Sequence, residues 1–176
     1  GAVVVDRGAA DHRVDGVARG QRVGQALQYH QAATGAGTRA VLAFRDESRL
    51  TLGSGTRFRV DNFVFDEKNA GEGRFLVSLL RGSVRALTGL IAKANNRNVG
   101  FSTATATIGI RGTGVDINCT GACAGETGGG ADSGLTLFTW LGSVAVTPQG
   151  QTALQLLQAG QGLLDRKSTR LNSSHD

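Results

Sequence analysis

The stretch that decides the fold reads Thr103-Ala-Thr-Ala-Thr-Ile-Gly-Ile110-Arg-Gly-Thr-Gly-Val115. Its first part is an apolar run that suits a β-strand, and Gly112 and Gly114 then permit the positive φ angles of a tight turn. Directly afterwards, apolar residues recur at every second position from Val115 to Cys119, so they share one face of a further strand. The sequence therefore predicts a strand, a glycine turn and a second strand.

The same pattern extends in both directions from this stretch, beginning at about residue 39. Short apolar runs alternate with Gly, Ser, Asn and Asp, which is typical of an all-β domain. The predicted strands are 40–45, 48–52, 56–61, 74–80, 83–88, 98–103, 105–110, 114–119, 135–140, 143–147 and 153–157. A short-strand β-sandwich and a β-roll or solenoid-like fold both fit this pattern, and the sequence does not separate them. Of the possible arrangements we favour two packed sheets of short strands with roll-like turns.

The organisation along the chain follows from where this pattern begins and ends. Residues 1–39 are predicted to be the start of the same domain, and residues 40–164 are predicted to form the β-domain. The best helical candidate is 21–33, although extended structure with a turn fits this segment equally well. The glycine-rich segment 120–134 has no apolar run, so we expect a long loop between two strands.

The C-terminal segment 165–176 requires separate treatment. Residues 165–175 read Asp-Arg-Lys-Ser-Thr-Arg-Leu-Asn-Ser-Ser-His, which resembles the in-frame translation of a common sequencing adapter. We therefore interpret 165–176 as a non-native, disordered tail that is not part of the fold. We expect the natural protein to continue beyond Leu164.

The composition excludes several classes of function. Of 176 residues 27 are Gly, only three are His and two are Cys, so side chains suited to catalysis or metal binding are scarce. No run of apolar residues is long enough to cross a membrane as a helix. The net charge is +5, but the arginines are scattered and form no stripe for nucleic acid. We therefore expect no enzyme, and no catalytic, cofactor-binding or metal-binding residues.

Five segments in order resemble the FecR domain family over about residues 40–162. They are Phe44–Gly53, Gly82–Gly89, Thr103–Val115, Leu141–Val146 and Leu157–Gln161. The residues that match the family's motifs are Asp46, Ser48, Gly82, Thr88, Gly89, Arg111, Gly112, Thr113, Gly142, Gly160 and Gln161. The chain departs from the usual pattern at Glu47, where the family has Gly, at Ala104, where it has Pro, and at Leu141, where it has Glu.

The resemblance implies an extracytoplasmic all-β domain from a bacterium, periplasmic or secreted. The best-known members are periplasmic parts of transmembrane sensors, which read an outer-membrane siderophore receptor and control a sigma factor. The expected function is a non-catalytic interaction or sensing module with a protein partner in the cell envelope. The alternative is a structural or surface-display domain of a larger secreted protein. Neither nucleic acid nor a membrane span is expected.

Arg111 is the motif residue with the most distinctive side chain. Its guanidinium has five donors in a rigid fork, which suits a carboxylate or several carbonyl groups. It follows an apolar run and precedes turn glycines, so we expect it at the rim of the core. The sequence predicts that Arg111 holds neighbouring loops, through Asp116 or Asp46, rather than contacting a partner.

The two cysteines, Cys119 and Cys123, have the spacing C-x3-C. This is neither the C-x-x-C spacing of redox proteins nor half of a four-cysteine zinc site. The intervening Thr-Gly-Ala allows the chain to reverse, so a disulfide is predicted in an oxidising compartment. Two partly buried free thiols are the alternative.

Two other motifs favour ordinary structure over chemistry. Asp46-Glu47-Ser48 joins two apolar runs and is predicted to cap the backbone amides of a turn. Asp132-Ser133-Gly134 is similar to the aspartic-protease turn, but it lacks the preceding apolar strand and a second copy. Neither is predicted to carry acid–base chemistry.

Overall fold

A computed structural model describes residues 3–6, 30–127 and 133–165 of the chain. The strands are β1 (Val3–Asp6), β2 (His30–Ala33), β3 (Ala40–Ala43), β4 (Arg49–Leu52), β5 (Arg57–Val64), β6 (Arg74–Leu87), β7 (Val99–Ser102), β8 (Ala106–Thr120), β9 (Gly134–Pro148), β10 (Gln155–Gln158) and β11 (Gly162–Asp165). One short α-helix, α1 (Leu90–Ala94), and 3-10 turns at Glu67–Glu72, Asn96–Asn98 and Gly121–Ala124 complete the described elements. The predicted all-β class is confirmed.

Every predicted strand overlaps an observed one, but three pairs of predicted strands are each one long strand. The pair 74–80 and 83–88 forms β6, 105–110 and 114–119 form β8, and 135–140 and 143–147 form β9. A glycine with positive φ lies inside each long strand, at Gly82 (92°), Gly112 (61°) and Gly142 (73°). The glycines interpreted as turns between strands are therefore bends within strands.

The bends change which residues face the core. In β8, Ile108 and Ile110 are buried before the bend, whereas Val115 and Ile117 are buried after it. A regular strand would turn the second pair outward, because its side chains alternate with a period of two. The register with β9 shifts at this point, as in a β-bulge, so both parts of β8 point inward.

Because β6, β8 and β9 bend, each contributes to two parts of one continuous sheet. The first part, here called the β5 half, contains β2, β5, β7, β10 and residues 74–81, 106–111 and 143–148. The second, here called the β4 half, contains β1, β3, β4, β11 and residues 82–87, 114–120 and 134–141. All pairs are antiparallel except β6 with β7.

The two halves share one hydrophobic core. Phe44, at the end of β3 in the β4 half, lies 4.6 Å between ring centroids from Phe75 in the β5 half. Phe63 and Phe101 extend this aromatic contact within the β5 half. The architecture is therefore one sheet folded over a common core, rather than two separately hydrogen-bonded sheets.

In the N-terminal segment, the described residues agree with the extended alternative to the candidate helix. Residues 21–29 of the candidate helix lie outside the described residues, and 30–33 form β2, antiparallel to β5. Ala32 lies opposite Phe58 and is buried, so pairing with β5 outweighs the weak helical periodicity. β1 and β11 are not among the predicted strands. Residues 128–132 of the predicted loop and 166–176 of the predicted tail lie outside the described residues.

Candidate protein-interaction surface

Asp46 and Ser48 form a buried hydrogen-bonded turn between β3 and β4. Ser48 donates its backbone N–H to Asp46 Oδ1 (3.1 Å) and its hydroxyl to Asp46 Oδ2 (2.8 Å). Ser48 Oγ in turn accepts the N–H of Gly89 (2.9 Å), which follows β6. A Cβ on Gly89 would lie 1.9 Å from the Asp46 carbonyl oxygen, so the segment after β6 reaches this turn only as glycine. The motif residues Asp46, Ser48 and Gly89, with buried Thr88 beside them, thus join two sheet segments.

The turn tolerates a departure from the usual family sequence. Glu47 stands where the family has glycine and adopts φ 69°. A non-glycine residue in this left-handed region costs about 1–2 kcal/mol. The N–H of Glu47 donates to Phe44 O (3.0 Å), a hydrogen bond that closes the turn.

The remaining motif glycines lie at bends. A Cβ on Gly142 would be 2.4 Å from Gly112 O, so the bends of β8 and β9 touch each other. Gly160 (φ 86°) lies between β10 and β11, where Gln161 Oε1 accepts the N–H of Gln158 (2.8 Å). Thr113 lies in β8 beside the bend at Gly112.

The prediction that Arg111 holds loops through Asp116 or Asp46 is wrong. The Asp116 carboxylate is engaged by Arg85, and Asp46 is buried against Ser48. Ile110 points into the core, so the next residue of β8 points to solvent and Arg111 is exposed. Within the described part of the chain, Arg111 has neither an ion pair nor a side-chain hydrogen bond.

The predicted disulfide is present. Cys119 and Cys123 are bonded and both are fully buried at the end of β8. Gly121 within the loop has φ 53°, and a Cβ there would lie 2.4 Å from Ser133 Cβ. In the motif Asp132-Ser133-Gly134, Asp132 lies outside the described residues.

Four side chains from four neighbouring strands form a row on the outer face of the β4 half. No local sequence pattern predicted that they would lie together. Register places Thr51, Arg85, Asp116 and Phe138 side by side on β4, β6, β8 and β9. Arg85 donates from Nε and Nη2 to the two oxygens of Asp116, at 2.7 and 2.8 Å. The hydrogen bond with Asp116, and then its negative charge, raise the pKa of Arg85.

A shallow cleft of about 380 Å³ runs along this face. Polar and apolar groups both line it, among them Arg85, Asp116 and the ring of Phe138. No group of three or more His, Cys, Asp or Glu that could hold a metal occurs among the residues that the structure describes. The cleft therefore offers hydrogen-bonding groups and one aromatic ring.

Trp140 is the most informative residue of this face. Gly114 leaves room for its ring, because a Cβ on Gly114 would lie 2.4 Å from Trp140 Cζ2. Arg85 Cζ lies 5.9 Å from the ring centroid, which allows a cation–π contact. Even so, the Trp140 side chain stays 38% exposed. Gly114, which follows the motif residues Arg111, Gly112 and Thr113, thus positions an exposed aromatic ring.

Exposed apolar neighbours extend the patch around Trp140. Leu87 and Leu141 both lie opposite Gly114, on β6 and β9, and Phe138 is two residues before Trp140. We name Arg85, Leu87, Phe138, Trp140 and Leu141 the Trp140 surface. Alternation along the predicted strand 135–140 was the signal that could have found it: Leu135 and Leu137 point inward, so Phe138 and Trp140 share the outward face.

Comparison with known proteins gives a family match and a fold match. The model of the family described as FecR protein matches residues 30–127. No curated protein matches the chain in a sequence search. Two crystal structures described as anti-sigma factors from Parabacteroides distasonis are similar in fold, with TM-scores of 0.51 and 0.50.

The fold match is a distant one. Both structures are 14% identical to the chain, and the superpositions cover 77% and 76% of it. The chain spans 58% and 57% of the length of these two proteins. The likeness therefore shows a common fold over part of each of them.

Proposed function

Because the chain belongs to the FecR protein family, we propose that it is a non-catalytic interaction and sensing module of a bacterial envelope protein. The FecR family and the proteins of similar fold are regulatory rather than enzymatic. A module of this kind needs a rigid scaffold and a surface that a partner can recognise. The shared core of the two halves supplies the scaffold, and the Trp140 surface is the candidate for recognition.

The proposed output is control of a sigma factor. The two structures of similar fold are described as anti-sigma factors, and each is longer than this chain. In the proposed scheme, the β-domain binds a protein partner in the envelope, and another part of the protein relays the bound state. The signalling role therefore rests on the family and on these neighbours.

The proposed location is outside the cytoplasm. The buried Cys119–Cys123 disulfide supports it, because such bonds persist in oxidising compartments. Within the described residues, no helix has the length and apolar character needed to cross a membrane.

One observation carries the proposal of protein binding. The Trp140 surface exposes a phenylalanine, an arginine and the single tryptophan of the chain side by side. Trp, Tyr and Arg dominate the binding energy of protein interfaces, where large side chains fill desolvated pockets of the partner. Solvent-exposed apolar residues in contiguous groups also mark interaction sites on soluble proteins.

The test is site-specific photo-crosslinking in an envelope extract of the source bacterium. A photoreactive residue at Leu141 should crosslink a partner protein, whereas the same residue at exposed Lys93 on α1 should not. Adding Trp140→Ala to the Leu141 probe should weaken the crosslink at least tenfold while the melting temperature stays close to that of the parent. Equal crosslinking from both positions, or none from Leu141, would favour the alternative of a structural or surface-display domain.

A further inference from the structure

The C-terminal strands form an uncharged end of the molecule. Residues 133–164, which include β9, β10 and most of β11, contain no Asp, Glu, Lys, Arg or His. Most of the exposed large apolar side chains of the described residues lie in this segment, namely Phe138, Trp140, Leu141, Leu154, Leu156 and Leu164. The rest of the chain carries all of the charge, with a net value of +5.

β10 is an edge strand of the β5 half. It pairs with residues 143–146 of β9, and no other strand among residues 3–6, 30–127 and 133–165 pairs with it. Leu154 and Leu156 are 56% and 44% exposed, whereas Leu157 is buried in the core. At one end of this edge, Gln161 accepts the backbone N–H of Gln158 through Oε1 (2.8 Å) and donates its own N–H to the Gln158 carbonyl (3.0 Å). The part of the outer edge left for a partner therefore lies around Leu156.

Apart from its shortness, this edge lacks the features that normally prevent strand pairing between molecules. Edge strands are usually very short, or interrupted by lysine, proline or a β-bulge. The sequence Gln155-Leu-Leu-Gln158 contains neither lysine nor proline, and its register with β9 is regular. An edge of this kind is a template for an added strand.

We propose that β10 pairs with β10 of a second copy of this chain, antiparallel about a twofold axis. If this twofold axis is perpendicular to the sheet, the outer faces of both copies lie on the same side, and so do their core faces. Leu156 then lies opposite Leu156 of the second copy on the outer face, and Leu157 of each copy stays in its own core. The contact is isologous, so the same patch serves both molecules.

Charge favours a second copy over a charged partner. Two molecules of a basic chain repel each other wherever arginines meet, and like charges on opposed strands destabilise pairing. The 133–164 segment brings no charge to the contact from either copy. Gln155 and Gln158 each carry a donor and an acceptor, so their amides can bond in both copies. An acidic partner would gain nothing at this edge, since the arginines lie elsewhere.

The first test is sedimentation velocity of the 176-residue chain over a concentration series. The unmodified chain should move towards dimer mass as its concentration rises. Leu156→Lys and Leu156→Glu should each remain monomeric, because like charges would meet at the axis. An equimolar mixture of these two variants should dimerise again, because opposite charges then meet.

A control separates this effect from a general loss of apolar surface. Leu80→Lys changes a leucine of similar exposure (38%) in β6 and should associate like the unmodified chain. The proposal is overturned if the unmodified chain stays monomeric over the whole series. It is also overturned if the mixture of Leu156 variants stays monomeric although both melt like the parent.

A second variant tests the register without adding charge. Leu156→Cys should form a disulfide-linked dimer on mild oxidation, visible on an unreduced gel, because the axis brings the two thiols together. Cys119 and Cys123 are already bonded to each other and leave no competing thiol. Leu80→Cys should stay monomeric under the same conditions. Absence of the Leu156→Cys dimer at concentrations where the unmodified chain associates would exclude this pairing.

Discussion

Asp46 and Ser48 lose water on folding and recover hydrogen bonds from each other and from the backbone of Gly89. Arg111, in contrast, keeps its water because it is exposed at the bend of β8. Leaving a buried polar group without a hydrogen-bond partner lowers the free energy of unfolding by more than an exposed hydrogen bond raises it. At the scale of single residues, the stabilising members of the family motif are therefore those buried in the β3–β4 turn.

The first prediction compares these two residues. Ser48→Ala should lower the free energy of unfolding by about 1–3 kcal/mol, because the Gly89 N–H and one Asp46 oxygen lose their partner. Arg111→Ala should change it by less than about 0.5 kcal/mol, as is usual for exposed positions. Urea denaturation of both variants measures the difference. Equal losses would contradict the exposed placement of Arg111.

β6, β8 and β9 determine the shape of the sheet at the scale of elements. Each is long enough to serve both halves, and each bends at a glycine with positive φ. The bends of β8 and β9 face each other at Gly112 and Gly142, where the two backbones are in contact. Glycine is therefore required at these bends for two reasons: the backbone has positive φ, and the two bends pack against each other.

The second prediction separates conformation from packing at a bend. Gly142 and Gly150 have nearly the same φ, 73° and 74°, so alanine at either position costs about 1–2 kcal/mol for the left-handed backbone. A Cβ at 142 would also meet Gly112 O at 2.4 Å, whereas a Cβ at 150 meets nothing within 4 Å. Gly142→Ala should therefore melt at a clearly lower temperature than Gly150→Ala. Identical melting temperatures would show that the bend relaxes without cost.

The third prediction concerns how β8 positions Trp140. Gly114→Ala should displace the ring, because its Cβ would lie 2.4 Å from Trp140 Cζ2. Since Trp140 is the only tryptophan, its fluorescence reports the change directly, and we expect a shift in the emission maximum. Gly109→Ala in the same strand is the control, because its nearest contact is an ordinary 3.7 Å. An unchanged spectrum in Gly114→Ala would place the ring elsewhere.

The whole molecule distributes its polar and apolar surface unevenly. Charged residues are absent from the 133–164 segment, and the cross-strand pair of Arg85 with Asp116 lies on the adjoining face. The Trp140 surface and the β10 edge both belong to the region formed by β9 and its neighbours. The two proposed contacts, with an envelope partner and with a second copy, thus use separate strands of one end of the molecule.

The fourth prediction tests the disulfide as a constraint on the whole chain. The double variant Cys119→Ala with Cys123→Ala should lower the free energy of unfolding by about 2 kcal/mol, the loop-closure value for so short a loop. Thermal melts with and without reductant measure this. Reductant should lower the melting temperature of the parent but leave that of the double variant unchanged. If the fully reduced parent melts at the same temperature as the oxidised parent, the disulfide has no stabilising role.

Local patterns predicted much of the fold. The strand segments, the glycine positions and the Cys119–Cys123 bond were all recognised, because each depends on residues close together in sequence. The continuity of β6, β8 and β9 was missed, since a glycine at a bend and a glycine at a turn have the same local signature. β2 was missed because only its pairing with β5 makes it a strand.

The sequence by itself determined the all-β class, the family and the positions of the bends, because period-two alternation and glycine placement act through neighbouring residues. Only the tertiary structure decided which groups meet. In the folded chain Arg85 pairs with Asp116, 31 residues away, and Arg111 stays exposed. The tertiary structure also set Trp140 on Gly114 and left β10 at an edge. These outcomes depend on the register between strands far apart in the chain, and a shift of one residue would turn every side chain to the other face.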